Sequence, residues 1–355
     1  MDSMTTALPR TPPVPALIVS RDERLLDELL RLAAAAGAVP EVVSDAGGAL
    51  RSWRAASLVL VGTDLAPDLV RLGPSPRPGV HLVGWAGIGD ESFRHAVALG
   101  AEQVSELPAS DTWLLELLAE SVDGRAAPPV TVGVLGGSGG AGATTFACAL
   151  GLVAAETGPA CLLDTDPGGP GVDRVLGFDR LDGARWEALE QTTGRVGARS
   201  LRDTLPRRHG LGVLTWSAGS RSAPQPFAFR EALAAAGRGH PTVIVDLARS
   251  GPVTEDAVGR LGHVVVVVRP TLPGLAAAAR QVGLLRDATS VGLVVRGARV
   301  DEAAVSRFLR APVLTTMPDQ RGLDEAVDLG RGPLWSRRNT LGRTAAAVLR
   351  DLRAA

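Results

Sequence analysis

One stretch gathers the small residues that chemistry at a phosphate or an acyl group requires: GVLGGSGGAGATTFACAL, residues 133–150. It joins an apolar strand-like run to an apolar helix-like run, so its glycines fall at a strand-to-helix turn. Three patterns overlap there. Gly136-Gly137-Ser138-Gly139-Gly140 sets a serine between glycines, as an exposed nucleophile needs, with Asp246 and His263 following as acid and base. Gly137, Gly139 and Gly142 space as G-x-G-x-x-G, and Asp164 comes 22 residues after Gly142, where a carboxylate would take a ribose hydroxyl. Residues 139–145, GGAGATT, offer backbone amides and the hydroxyls of Thr144 and Thr145 to a polyphosphate and its Mg2+.

The three readings need different partners. A nucleophilic serine needs a histidine in reach, yet His263 heads the run HVVVVV while Asp246 closes PTVIVD, at opposite ends of neighbouring strand-like runs. His81, His95, His209 and His240 make no better set, and the five read as surface or capping histidines. A dinucleotide site needs a later hydride-transfer partner, and none is evident. A polyphosphate site needs cations, and all 37 basic residues are arginines, with no lysine in the chain.

The bulk properties set the class. With 355 residues, 45% hydrophobic and 21% charged, the chain is globular and long enough for two or three domains. No apolar run nears the roughly 20 residues that span a bilayer. MDSMTTALPRTPPVP lacks the basic-then-apolar pattern of an export signal, and Cys148 and Cys161 lie in apolar segments without metal-ligand spacing. These features predict a cytoplasmic protein with two core thiols. Residues 1–125 hold 10 arginines against 17 acids, a net of −7, so the remainder carries +6. That asymmetry fits two domains.

Residues 14–122 alternate short apolar runs with helical patterns five times, which predicts a parallel sheet with helices on both faces. DGRAAPP, 123–129, breaks the pattern as a linker, and 1–13 reads as a flexible N-terminus. From 130 to 355 the strand–helix alternation restarts, with a polar segment over 181–209 and a closing helix RTAAAVLRDLRAA. The fold class is α/β throughout.

The first part resembles the receiver (flavodoxin-like) domains of two-component signalling. Such a domain implies an acidic pair after the first strand, an acceptor aspartate after the third and a lysine after the fifth. Here Ser20 and Arg21 follow the first strand, with Asp22 the only nearby match to the pair, Asp64 is displaced by two or three places, and Leu107-Pro108 replaces Lys-Pro. The resemblance therefore implies a pseudo-receiver, a docking module without phosphoryl chemistry.

The second part resembles the deviant Walker A, MinD/ParA family of P-loop proteins over about 220 residues. GGAGATT matches the loop, Asp164-Thr165-Asp166-Pro167 the switch after the second strand, and Asp246 the Walker B aspartate. VVRPTLPGLAAAAR and MPDQRGLDEAVDLGRGPL match later segments. With a receiver-like domain in front, the resemblance points to the CpaE/TadZ branch, and LPRRHGLGVLTW to its actinobacterial septum-site-determining group.

That resemblance implies a P-loop NTPase-like fold, mostly parallel, with ATP and Mg2+ as cofactors. Nucleotide would lie on Gly137, Gly139, Gly140, Gly142, Ala143, Thr144 and Thr145, with Mg2+ at Thr144, Asp166 and Asp246. Asp164, as the switch residue, and Asp246 would be the catalytic candidates. Ala143 stands where the loop lysine belongs and Ser138 where a second lysine would reach across a homodimer. Each such cation aimed at transition-state charge is worth about 2.7–4 kcal/mol, so hydrolysis is expected to be slow or absent. No asparagine stands near Val295 or Arg296 to read a base. The implied partners are proteins of division or of Tad-type pilus and secretion machinery, with recruitment to membrane, septum or pole. Peripheral membrane contact would use the face Leu341, Ala345, Val348, Leu349 and Leu352, and DNA binding stays open.

Overall fold

The structure, a computed structural model, describes residues 15–122, 129–191, 196–217, 219, 224–297, 300–334 and 339–354. The segment 1–13 and residues 123–128 of the expected linker lie outside these. The chain divides into two compact units, Met1–Ala126 and Ala127–Ala355.

In the first unit β1 (Leu17–Val19), α1 (Glu23–Ala35), β2 (Glu41–Val43), α2 (Ala46–Ser52) and β3 (Val59–Gly62) are followed by α3 (Ala66–Leu72) and β4 (Val80–Trp85). α4 (Asp90–Leu99), β5 (Gln103–Leu107) and α5 (Asp111–Val122) complete it. All strands pair in parallel, in the order β2-β1-β3-β4-β5. Alternation along the strands feeds two cores: Leu17, Val19, Val59 and Val61 face α2, α3 and α4, whereas Ile18, Leu60 and Val83 face α1 and α5. α1 forms because Leu25, Leu29 and Leu32 recur on one helical face and Asp22 caps it, accepting from the Leu25 N–H at 3.1 Å. Periodicity does not reveal α2 and α3, whose 7 residues each span too few turns to show it.

The second unit opens with β6 (Val130–Gly136), α6 (Ala143–Ala155), β7 (Ala160–Asp164), α7 (Val172–Leu176), α8 (Trp186–Glu190) and α9 (Ala198–Thr204). It continues with β8 (Arg207–Arg208), β9 (Leu211–Leu214), α10 (Pro226–Gly239), β10 (Thr242–Leu247), α11 (Pro252–Val258) and β11 (His263–Val268). α12 (Leu272–Leu285), β12 (Ser290–Arg296), α13 (Glu302–Leu309), β13 (Val313–Met317), α14 (Leu323–Asp328) and α15 (Thr340–Ala354) close it. The sheet order is β13-β12-β11-β6-β10-β7-β9-β8, parallel except for β8 against β9. Helices cover both faces: Val265 and Val267 of β11 point into the core under α6, α7 and α15, and Val264, Val266 and Val268 into the other. The described residues of the polar segment 181–209 include α8, α9 and β8, with Trp186 anchoring α8 in the core.

The apolar face of the closing helix is spent internally. Leu341, Ala345, Val348, Leu349 and Leu352 are all buried in the core that α6 shares. The expected membrane contact through this face is therefore corrected: a bilayer would have to pull these side chains out of the protein. Among the described residues no helix is long and apolar enough to cross a membrane.

The turn that follows the switch segment packs backbone against backbone. Gly177 ends α7 at φ 71°, and a Cβ there would stand 2.1 Å from the Gly330 carbonyl oxygen. Gly177→Ala combines left-handed strain with overpacking, so it is expected to cost roughly 2–5 kcal/mol. A urea unfolding curve checks this, and an unchanged midpoint would mean that the 330 loop yields without cost.

Candidate functional site

Strand register brings the acidic residues together. β10 lies between β6 and β7, pairing Asp246 with Asp164 on one side and with Val134 on the other. The two carboxylates thus stand abreast at the carboxyl edge of the sheet, two residues short of where β6 turns into the glycine loop. Sequence spacing alone could not show this, since 82 residues separate them.

The loop's glycines have separate reasons. A Cβ on Gly137 would meet the Ala278 Cβ at 2.8 Å, so Gly137 lets α12 pack against the loop. Gly140 (φ 69°) and Gly142 (φ 94°, the cap of α6) hold left-handed backbone. Gly139 is different: it is exposed, and a Cβ there would meet nothing within 4 Å. Protein packing does not demand glycine at that position. The first-turn amides of α6, at Ala143, Thr144 and Thr145, have no intrahelical acceptor, and Phe146 N–H to Gly142 O at 2.9 Å is the first helical bond. Among the described residues, the amides of Ser138, Gly139, Gly140 and Gly142 also find no protein acceptor. Together these make an anion-ready helix start.

Asp164 is an anchor. Its Oδ2 accepts from Thr215 Oγ1 at 2.8 Å and Val172 N–H at 3.1 Å, its Oδ1 from Asp166 N–H at 3.2 Å, and its carbonyl from Trp186 Nε1 at 2.7 Å. Burial nevertheless pushes its pKa up to about 6. With both oxygens engaged and 1% of its surface exposed, it is placed to hold the segment after β7 rather than to meet a substrate. Thr215, Val172 and Trp186 were not singled out from sequence, because their role depends on where β9, α7 and α8 land.

Asp246 is the reactive-looking member. Burial, and then the charge of Asp164, raise its pKa well above the usual carboxylate range, while a hydrogen bond from Thr144 works the other way. Its own carbonyl accepts from Thr165 N–H at 2.9 Å and Oγ1 at 2.8 Å, tying the switch segment to β10. Asp166 is half-buried, and its Oδ1 caps the Gly168 N–H at 3.0 Å. Among the described residues none of these three carboxylates forms an ion pair. No three His, Cys, Asp or Glu side chains among them cage a metal unaided. The donors fit Mg2+ held by one hydroxyl and one carboxylate, with the ligand's own oxygens completing its shell.

The rival readings fail on topology. β6 stands between β10 and β11, so Asp246 and His263 are not on neighbouring strands, and His263 sits at the far edge from Ser138. The ribose reading of Asp164 is overturned as well: β10 separates β7 from β6, and the carboxylate is inward and fully bonded. His81 is buried in β4 against Trp113 rather than at the surface, while His240 caps α10 through Ala236 O at 3.0 Å. Both cysteines are buried free thiols, their pKa values raised by burial.

In the first unit the acceptor-like position is occupied by its own side chains. Asp64 Oδ1 accepts from Ser20 Oγ at 2.9 Å and Oδ2 from Arg21 N–H at 2.8 Å, while Asp22 is committed to capping α1. Leu107, fully buried, precedes Pro108 through a cis peptide where a lysine would project. Among the described residues of this unit no cluster of carboxylates stands ready for a metal.

Comparison with known proteins agrees with this geometry. Residues 19–129 match the family described as Rv3660c-like, CheY-like N-terminal domain. The uncharacterized protein Rv3660c of Mycobacterium tuberculosis (strain ATCC 25618 / H37Rv) is 33% identical over 341 residues, covering 92% of this chain and 95% of that protein. The chain belongs to the Rv3660c-like family. The second unit of this Rv3660c-like chain has the P-loop fold of MinD and ParA ATPases. The MinD cell division protein of Aquifex aeolicus aligns with a TM-score of 0.53 at 18% identity, covering 63% of this chain and 97% of that one. A ParA family ATPase from Chlorobium tepidum TLS gives 0.52 at 14%, covering 62% and 98%. The septum site-determining protein MinD from Pyrococcus horikoshii OT3, complexed with Mg-ADP, gives 0.52 at 14%, covering 62% and 95%.

Proposed function

We propose that this chain is a MinD/ParA-type spatial regulator of the CpaE/TadZ-like, septum-site-determining branch. Its P-loop unit binds Mg2+–ATP weakly and hydrolyses it slowly or not at all. It acts as a scaffold that positions division or Tad-type secretion machinery, with the pseudo-receiver as a docking module for protein partners. The observation that carries the reading is the open glycine turn at the N-terminus of α6, with the Thr144 hydroxyl beside the buried Asp246 carboxyl of the neighbouring β10. Fold-level likeness to a MinD structure holding Mg-ADP supports the ligand class.

In this reading the amides of Gly139, Gly140, Gly142, Ala143, Thr144 and Thr145 hold the phosphates, Gly139 admits them, and Thr144 with Asp246 holds Mg2+. Bound Mg2+ would supply the positive charge that the buried carboxylates lack. Asp164 keeps the switch segment in register with β10, and Asp166 borders the site. Ala143 and Ser138 supply no charge, which accounts for weak binding and poor turnover.

Calorimetric titration of Mg2+–ATP tests this. Micromolar binding that Thr144→Ala and Asp246→Ala each weaken is expected. Absence of binding to the parent protein at high nucleotide concentration would sink the nucleotide reading. Light scattering on the same samples separates the two modes of action: a monomer in saturating Mg2+–ATP fits a scaffold, and a nucleotide-driven homodimer would replace it by an ATP-dependent switch.

A further inference from the structure

The lysine-free loop is not without cations. Arg269 directly follows β11 and Arg296 ends β12, so both emerge at the same sheet edge as the glycine loop, on the side away from Asp246. The Arg269 Nη1 stands 3.9 Å from where a Cβ on Gly140 would lie. The Arg296 Nη1 stands 3.7 Å from the corresponding point on Gly142 and donates to Gly140 O at 3.4 Å. The two guanidiniums therefore reach the two left-handed glycines of the loop, within ordinary van der Waals distance of the positions a Cβ would take.

Their states differ. Arg296 is tethered: its Nε donates to Asp319 Oδ1 at 2.5 Å, which fixes the plane of the guanidinium over the loop. Arg269 is exposed, and among the described residues nothing engages its guanidinium. An arginine left unpaired beside a ring of unpaired amides has no internal function that the contacts reveal. Its reach, planar fork and permanent charge suit a phosphate oxygen pair. The carboxylates on the other side make the edge electrically negative, so an anion settling on α6 requires such a counter-charge.

We infer that Arg269 and Arg296 are the phosphate-binding cations of this site, replacing from the ends of β11 and β12 the charge that position 143 does not provide. Arg269 closes on the phosphate chain of a nucleoside di- or triphosphate, and Arg296, held by Asp319, orients it. This inference rests on the nucleotide reading above and specifies which residues make it work.

The test is calorimetric binding of Mg2+–ATP, Mg2+–ADP and adenosine to the full chain and to Arg269→Ala, Arg296→Ala and Arg269→Ala/Ala143→Lys. Loss of one charge-assisted contact is expected to weaken ATP and ADP binding roughly 10- to 100-fold in Arg269→Ala, with less loss in Arg296→Ala and no change for adenosine. Ala143→Lys is expected to restore binding in the Arg269→Ala background, which a merely structural arginine would not allow. Should Arg269→Ala prove poorly folded by circular dichroism, Arg269→Gln at the same exposed position serves in its place. If the parent binds Mg2+–ATP and all arginine variants match it within about twofold, the inference falls while the nucleotide reading stands. If the parent does not bind, both fall.

Discussion

Trp186→Ala is expected to lower the melting temperature of the second unit by roughly 10 °C. Trp186 is fully buried among Leu163, Leu214 and Phe229, and leans on Trp216 with ring centroids 6.5 Å apart. Removing a core tryptophan costs about 3–5 kcal/mol in lost burial and cavity. Its indole N–H also satisfies the Asp164 carbonyl at 2.7 Å, and its backbone N–H bonds Thr215 O at 3.0 Å. Trp186 thus ties the anchor of the switch segment, through its indole, to the residue after β9, through its backbone, and Trp186→Ala removes the first of these bonds. Trp186→Phe keeps most of the apolar area but orphans that carbonyl, so an intermediate loss of about 1–3 kcal/mol is expected. Thermal melts of the three proteins check the series. A Trp186→Ala melt within about 2 °C of the parent would show that α8 does not close this core.

Asp246→Asn is expected to stabilise the protein, by an amount that grows with pH. Burial raises the folded-state pKa of Asp164 to about 6 and that of Asp246 well above 3.8. Below the unfolded value of about 3.8, folded and unfolded chains both keep these protons. As pH rises from there, the unfolded chain releases them first, so stability is lost through the folded pKa. For Asp164 the window runs from about pH 4 to 6 and amounts to about 3 kcal/mol. Asp246 loses stability from the same lower limit upward through its own raised value. Asparagine keeps an acceptor for Thr144 without the charge, which removes the Asp246 part. Urea midpoints of both proteins at about pH 5 and about pH 8 measure the difference, and a gap that shrinks with rising pH would overturn the assignment. The same change is expected to weaken Mg2+–ATP binding, a trade of function for stability common at such sites.

The arrangement also explains why the glycine loop is easily misread. Ser138 satisfies the spacing of a nucleophile turn and Asp164 that of a ribose carboxylate, because both patterns ask only for glycines after a strand. The discriminating fact is that β10, far along the chain, inserts between β6 and β7. No local pattern encodes it.

Much was nevertheless written in the residues. Five β-branched valines in a row at 264–268 read as a buried strand, and the leucine stripe of α1 as a one-sided helix. The α/β class, the two glycine-loop threonines and the absence of every lysine followed from the sequence by itself, since periodicity, turn chemistry and composition are local properties. Tertiary structure decided the rest. Only strand register put Asp246 opposite Asp164, only burial turned Asp164 from a candidate catalyst into an anchor, and only the packing of α15 on α6 removed its apolar face from solvent. The neighbourhood of Arg269, Arg296 and the loop belongs to the same class. Residues more than a hundred positions apart meet there because parallel strands share one edge, and a side chain's reach across that edge is a property of distance in space.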